Sequence, residues 1–244
     1  MSYGFQVENP SGGLVLSADG FGMNYIGKAS FVQNEDAPEL NGLYAGGTYT
    51  QFKRYRINSS SPLVFPFLEL SSANVCGVAK VEQGAGYWDF VIFNQNSSNV
   101  CQAINIYCFG RPTTRSSWGM NLFNADGTLA WDIGSQRLLM FQGVVDFGLN
   151  QTSATIPSLT KPAVLGFGSG FIDPLWVPWR LQYGQWYANA AVRGFRLYNS
   201  TTLVLNDKIS RLGDWYEFEV GTSPGSDYYT YPFTAYLIDA TGLS

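Results

Sequence analysis

The chain predicts an all-β protein made of antiparallel sandwich- or barrel-like modules, built from repeated hairpin-plus-strand units. Three observations predict it. Almost no window carries apolar residues at helical spacing. Alternating runs rich in Val, Phe, Tyr, Trp and Thr fill the chain, punctuated by 27 Gly and 11 Pro. One motif occurs three times: GFQVENPSGGLVLS at 4–17, GMNLFNADGTLAWD at 119–132 and GFRLYNSTTLVLN at 194–206.

Each copy opens on Gly and a large apolar residue (Gly4-Phe5, Gly119-Met120, Gly194-Phe195) and alternates up to an Asn (Asn9, Asn124, Asn199). A turn-rich loop follows, and then Leu-x-(Leu or Trp) at Leu14/Leu16, Leu129/Trp131 and Leu203/Leu205. Alternation on both sides of an Asn/Gly/Ser loop predicts a β-hairpin. The sequence after each copy (24–33, 137–148, 211–221) alternates again, which predicts a three-stranded meander per unit. A weaker echo runs over 89–100, with Asn94 as its turn residue. The spacing of the copies is irregular, so no solenoid or propeller is implied.

In chain order, strands are expected at 14–18, 48–57, 63–70, 76–82, 87–93, 103–109, 138–147, 215–220 and 229–238. Pro66 and Pro232 interrupt two of these runs, which predicts edge or bulged strands there. Two stretches read as loops: 34–47, which carries Glu35, Asp36 and Glu39, and the Ser/Thr/Pro/Gly-rich 149–170. A boundary within GRPTTRSSWG (110–119) divides the chain into an N-terminal module, 1–118, and C-terminal modules, 119–244.

Composition narrows the function. Aromatic residues make up 16% of the chain and charged residues only 13%, against about 25% charged in ordinary domains. Such a surface suits one covered by partners or one that stacks on sugars. The net charge is −4, and the largest basic cluster is Lys53-Arg54-x-Arg56, too small to track phosphates, so no nucleic acid is expected. No run is long enough to cross a bilayer, so no membrane insertion is expected. The start, MSYGFQVENP, lacks a basic and apolar leader, which predicts synthesis in the cytoplasm without a signal peptide. The odd count of Cys76, Cys101 and Cys108 then predicts reduced thiols packed as small apolar residues.

There is no histidine, which removes the His-dependent hydrolases and His-zinc sites. No glycine-rich phosphate loop and no CxxC spacing occur, so no cofactor or metal is expected. Asn94-Gln95-Asn96 and Asn124-Ala125-Asp126-Gly127 read as turns rather than calcium loops. A paired-carboxylate glycosidase is the surviving enzyme class, with candidates Glu35, Glu39, Asp89, Asp214, Glu217 and Glu219. The alternation of Glu217 and Glu219 equally describes a solvated strand face, and the chain is read as no enzyme. The sharpest local feature is DPLWVPWRLQYGQWY (173–187). Its Trp176, Trp179, Arg180, Trp186 and Tyr187 suit a sugar-stacking platform or an interface hot spot, or else the filling of a core.

The opening, MSYGFQVENPSGGLVLSADG, resembles small tail proteins of long, non-contractile-tailed bacteriophages and related prophages. That group often begins Met-x-Tyr-Gly-(apolar)-x-Val-x-Asn-x-x-Gly-x-Leu, matched here by Tyr3, Gly4, Phe5, Val7, Asn9, Gly12 and Leu14. The likeness is clear over residues 1–30 and visible again at 123–132. It implies a virion protein at the tail tip or in a tail fibre, with no catalytic residues to carry over. The implied partners are other tail proteins, further copies of the chain (a trimer is favoured) and a host-surface polysaccharide or receptor.

Overall fold

The computed structural model describes residues 6–8, 14–17, 23–35, 52–95, 101–111, 113, 117, 121–123, 127, 129–132, 139–148, 151–167, 179–180, 186–216 and 233–244. The alternating runs among them form strands β1 (Gln6–Glu8), β2 (Leu14–Ser17), β3 (Asn24–Lys28), β4 (Ser30–Glu35), β5 (Phe52–Asn58), β6 (Val64–Glu69), β7 (Val75–Gly84), β8 (Tyr87–Gln95) and β9 (Ile106–Gly110). They continue as β10 (Asn121–Phe123), β11 (Leu129–Asp132), β12 (Gly143–Phe147), β13 (Ser153–Thr155), β14 (Pro162–Phe167), β15 (Trp179–Arg180), β16 (Trp186–Asn199), β17 (Thr202–Tyr216) and β18 (Phe233–Asp239). No helix occurs among the described residues.

Two antiparallel sheets carry the fold. One has six strands in the order β12-β18-β14-β6-β9-β3. The other runs β13-β17-β16-β7-β8-β5-β4, with β15 paired to β16 beside that path. Their facing sides form a sandwich core, because side chains alternate across a strand with period two. Tyr55, Phe90, Ile92, Phe195 and Leu203 of the larger sheet share one buried cluster with Leu68, Ile106, Val164 and Leu237 of the smaller. Each large apolar side chain buried there contributes about 1.5–3 kcal/mol. The smaller sheet is buried on its other side too, where Phe67, Tyr107, Phe109, Leu165 and Ile238 pack with Leu243. All five residues of β9 are buried, as a continuous apolar run implies. Cys76, Cys101 and Cys108 are free and buried, and burial pushes the thiols of Cys76 and Cys108 up to about 12.

All three motif copies are hairpins, and they fall in two settings. Copies one and two are separate two-stranded sheets, β1–β2 and β10–β11, while copy three lies within the larger sheet as part of β16–β17. The first two share one register: Gln6 pairs Ser17 and Val7 pairs Leu16, just as Asn121 pairs Asp132 and Leu122 pairs Trp131. In copy three the equivalent Arg196 pairs Val204 instead. That slip of two residues keeps every side chain on its original face, because the side-chain period is two. A register break recurs near the turn, but the extra residue changes strand: it is Val15 and Ala130 on the second strand of copies one and two, and Tyr198 on the first strand of copy three. Tyr198, the extra residue of copy three, is strongly exposed, consistent with the re-aiming that bulges produce.

The slip tightens the third turn to Ser200-Thr201, and the motif Asn holds it. Asn199 Oδ1 accepts hydrogen bonds from the Thr201 amide at 2.9 Å and the Thr201 hydroxyl at 3.2 Å. Asn199→Ala is expected to lower stability by about 1 kcal/mol, the typical worth of one such bond. Urea denaturation checks this, and an unchanged midpoint would remove the turn role.

The long-range arrangement departs from the sequence expectation in several places. The strand after each of the first two hairpins does not complete a meander: β3 pairs β9, and β12 pairs β18. Both sheets draw strands from either side of residue 118, since β14 pairs β6 and β16 meets β7 through Phe195 and Cys76. The stretch 149–170 contains β13 and β14, which the proline opening and the glycine inside β14 disguised. Pro66 lies in an interior strand, because β6 pairs β14 only at Leu68 and Glu69 and needs no donor toward β14 at Pro66. Asn94 is no turn residue: it is buried in β8 and its side-chain amide donates to the Ala103 carbonyl at 3.0 Å. Gly127, in the other turn reading, does take a positive φ of 80°. Pro232 lies outside the described residues.

Candidate functional site

Four neighbouring strands of the larger sheet, β7, β8, β5 and β4, carry a cluster of ion-paired side chains. The reason is periodicity. Arg54 and Arg56 alternate along β5, so they share its outer face, opposite the core-facing Tyr55 and Ile57. Asp89 falls on the same outer face of β8, between the core residues Trp88 and Phe90. The register sets Glu82, Asp89 and Arg56 in one row across three strands. At the end of that hairpin, Gly86 takes φ +82° in the turn between β7 and β8. Gly84 lets the Tyr87 ring lie over the backbone, since a Cβ there would fall 2.1 Å from the ring.

The charges pair closely. Arg56 grips Asp89 with two bonds, Nε to Oδ1 and Nη2 to Oδ2, both 2.7 Å. Arg54 donates to Asp89 Oδ2 at 3.0 Å and also to Glu35 and Glu82. Lys80 reaches Glu82 at 2.6 Å. The Arg56 guanidinium stands 3.8 Å from the Tyr87 ring centroid, a favourable cation–π contact. Asp89 is only 3% exposed, a depth at which a carboxylate requires partners.

These contacts fix the protonation states. Arg56 first, and Arg54 after it, hold the Asp89 carboxyl below its usual range against the opposing effect of burial. Lys80 and then Arg54 do the same for Glu82. Glu35 is the first cause that raises the Arg54 guanidinium, and Asp89 the first that raises Arg56. Asp89 and Glu82 are therefore fixed acceptors near neutral pH. A glycosidase acid needs the reverse shift.

The cluster floors an open depression of about 680 Å³, edged by Val32 and Gln33 on β4 and by Gln83 and Gly84 on β7. Among the described residues, no group of three or more Cys, Asp or Glu side chains is arranged to hold a metal ion.

The residues singled out by sequence fall in three places. Glu35 and Asp89, two of the carboxylate candidates, meet at Arg54. Trp179 and Arg180 form β15 and pair in backbone register with Tyr187 and Trp186 of β16, which pair in turn with Trp215 and Tyr216 of β17. Asp214 pairs Ala188 along the same ladder. Trp176, Glu39, Glu217 and Glu219 lie outside the described residues. Arg54, Arg56 and Glu82 were not foreseen as site residues. The signal for them was the i, i+2 spacing of the arginines opposite an acidic hairpin. Comparison with family models, curated proteins and solved structures gave no match to this chain.

Proposed function

We propose that this chain is a structural component of a phage tail, at the distal tip or in a fibre, contributing to tail assembly and host attachment. The observation that carries the reading is the recurrence of the tail-like opening motif. It returns at 119–132 and 194–206, and each copy is a hairpin with one register break near its turn. Repeating one bulged hairpin is a route to an adhesive, many-stranded particle protein. A chain with 13% charged residues suits extensive contact with other tail proteins and with its own copies, a trimer being favoured, because obligate interfaces are depleted in charge at their cores.

The test is mass spectrometry of density-purified particles induced from a strain that carries the gene. The expected result is this chain at a fixed ratio to the other tail proteins. Its absence from particles that contain the rest of the tail would end the reading.

A second reading, receptor binding through the tryptophan-rich segment, is favoured by the register that sets Trp179, Tyr187 and Trp215 in one row and Arg180, Trp186 and Tyr216 in the next. Trp179→Ala and Trp186→Ala would then abolish host adsorption while leaving the chain in the particle.

A further inference from the structure

The depression over β4, β5, β8 and β7 has a chemistry that selects its ligand. Its volume of about 680 Å³ lies within the about 300–1,000 Å³ range of small-ligand sites. Its lining is mainly polar, so an apolar ligand would strand Arg and Asp groups without water. Its charges cancel: Arg54 and Arg56 stand against Glu82 and Asp89, with Glu35 and Lys80 behind them. An anion would meet the Glu82 carboxylate, and a cation would meet two guanidinium groups. Neither gains what a site with an excess of one sign would give it.

What remains is a neutral molecule rich in groups that both donate and accept hydrogen bonds. Glu82 is a partly exposed, fixed acceptor, while the buried Asp89 is spent on the two arginines. Arg56 commits Nε and Nη2 to Asp89, which leaves its Nη1 donors. Gln33 and Gln83 are exposed at the two rims, and their amides donate and accept at once. Val32, 41% exposed, adds an apolar rim for a carbon–hydrogen face. The ion pairs hold these groups in place before any ligand arrives, which lowers the ordering cost of binding.

We propose that this depression binds a neutral saccharide of the host surface. The inference rests on the host-attachment reading but concerns a site apart from the tryptophan-rich segment.

The test is amide NMR of the whole chain, titrated with glucose, galactose, mannose, rhamnose and N-acetylglucosamine, with sialic acid and inorganic phosphate as charged controls. The expected result is shifts at Gln33, Arg54, Gln83 and Tyr87 with at least one neutral sugar. Gln33→Ala/Gln83→Ala alters only exposed side chains, so its circular dichroism should match the parent. Its affinity should fall about tenfold, the scale of one or two lost neutral hydrogen bonds. Response to the charged controls alone overturns the ligand class. Shifts at Tyr187 and Trp215 instead of the depression overturn the site, as does binding that survives the double substitution. No shift with any of the five sugars overturns the proposal. The particle test fails separately: a chain absent from particles that still binds sugar here would end the tail reading and leave the site standing.

Discussion

Replacing Arg54 with alanine is expected to lower stability by about 3 kcal/mol, or roughly 6–12 °C in Tm for a domain of this size. The side chain is 17% exposed and bonds Glu35, Glu82 and Asp89. Its loss brings three carboxylates together with only Arg56 and Lys80 left to balance them. The deficit has a defined pH dependence. Asp89 and Glu82 have depressed carboxyls in the folded protein. The stability they contribute is fully present above their unfolded values near 4, and is lost as pH falls through the folded ones. Part of that depression comes from Arg54, so the parent should lose more stability on acidification than the variant. Guanidinium denaturation at neutral pH and again below pH ~4 should show the gap narrowing. A gap that stays constant across this window would mean that Arg54 acts through packing and not through charge.

Gly194→Ala should be of similar size for a different reason. A Cβ at Gly194 would fall 2.5 Å from the Cys76 carbonyl oxygen and 2.6 Å from the Phe93 ring. The carbonyl belongs to the backbone where β16 meets β7, and Phe93 is 1% exposed. Neither has room to retreat. Overpacking of this kind costs about 3 kcal/mol, the upper end of its usual range. Gly127→Ala is the control: nothing lies within 4 Å of its Cβ, and only the φ of +80° resists substitution, so about 1–2 kcal/mol is expected. Thermal denaturation of both variants ranks the two effects. If Gly194→Ala proves the milder, the Phe93 ring and the β7 backbone can give way and the close approach costs little.

The contrast between those two glycines bears on what the sequence could reveal. The hairpins were legible because their signals are local: alternation, an Asn, a turn and more alternation. The reason for Gly194 was not, because it answers to Cys76 and Phe93, more than a hundred positions away in the chain. Sheet order was hidden for the same cause. Nothing in β6 announces β14 as a neighbour, and Pro66 argues against an interior strand until the short β6–β14 ladder is known.

The polar cluster was half visible. Glu35 and Asp89 stand out in the sequence as carboxylates, and carboxylates in a sequence suggest paired catalysis. Lys53-Arg54-x-Arg56 suggests a phosphate footprint by its sequence, for which it is too small. Arg54 and Arg56 become partners of the acids only when β5 lies beside β8, with Arg56 opposite Asp89. A pairing that spans 33 positions has no local signature. The carboxylates' ionisation follows from that pairing and was likewise out of reach.

The place of β18 has a consequence for how the protein is made. It lies inside the six-stranded sheet, between β12 and β14, yet it is the last strand of the described order. A ribosome moving at ~5–20 residues per second takes about 3–13 s to go from Phe167 to Phe233. During that interval β12 and β14 have emerged without the strand that joins them, and Val145, Phe147 and Val164 lack the cover of Ala235 and Leu237. The nascent chain therefore waits with two open strand edges and an unfinished apolar face, the form on which chaperones act and from which aggregates start. A premature stop before residue 233 would yield not a smaller protein but this waiting intermediate, made permanent.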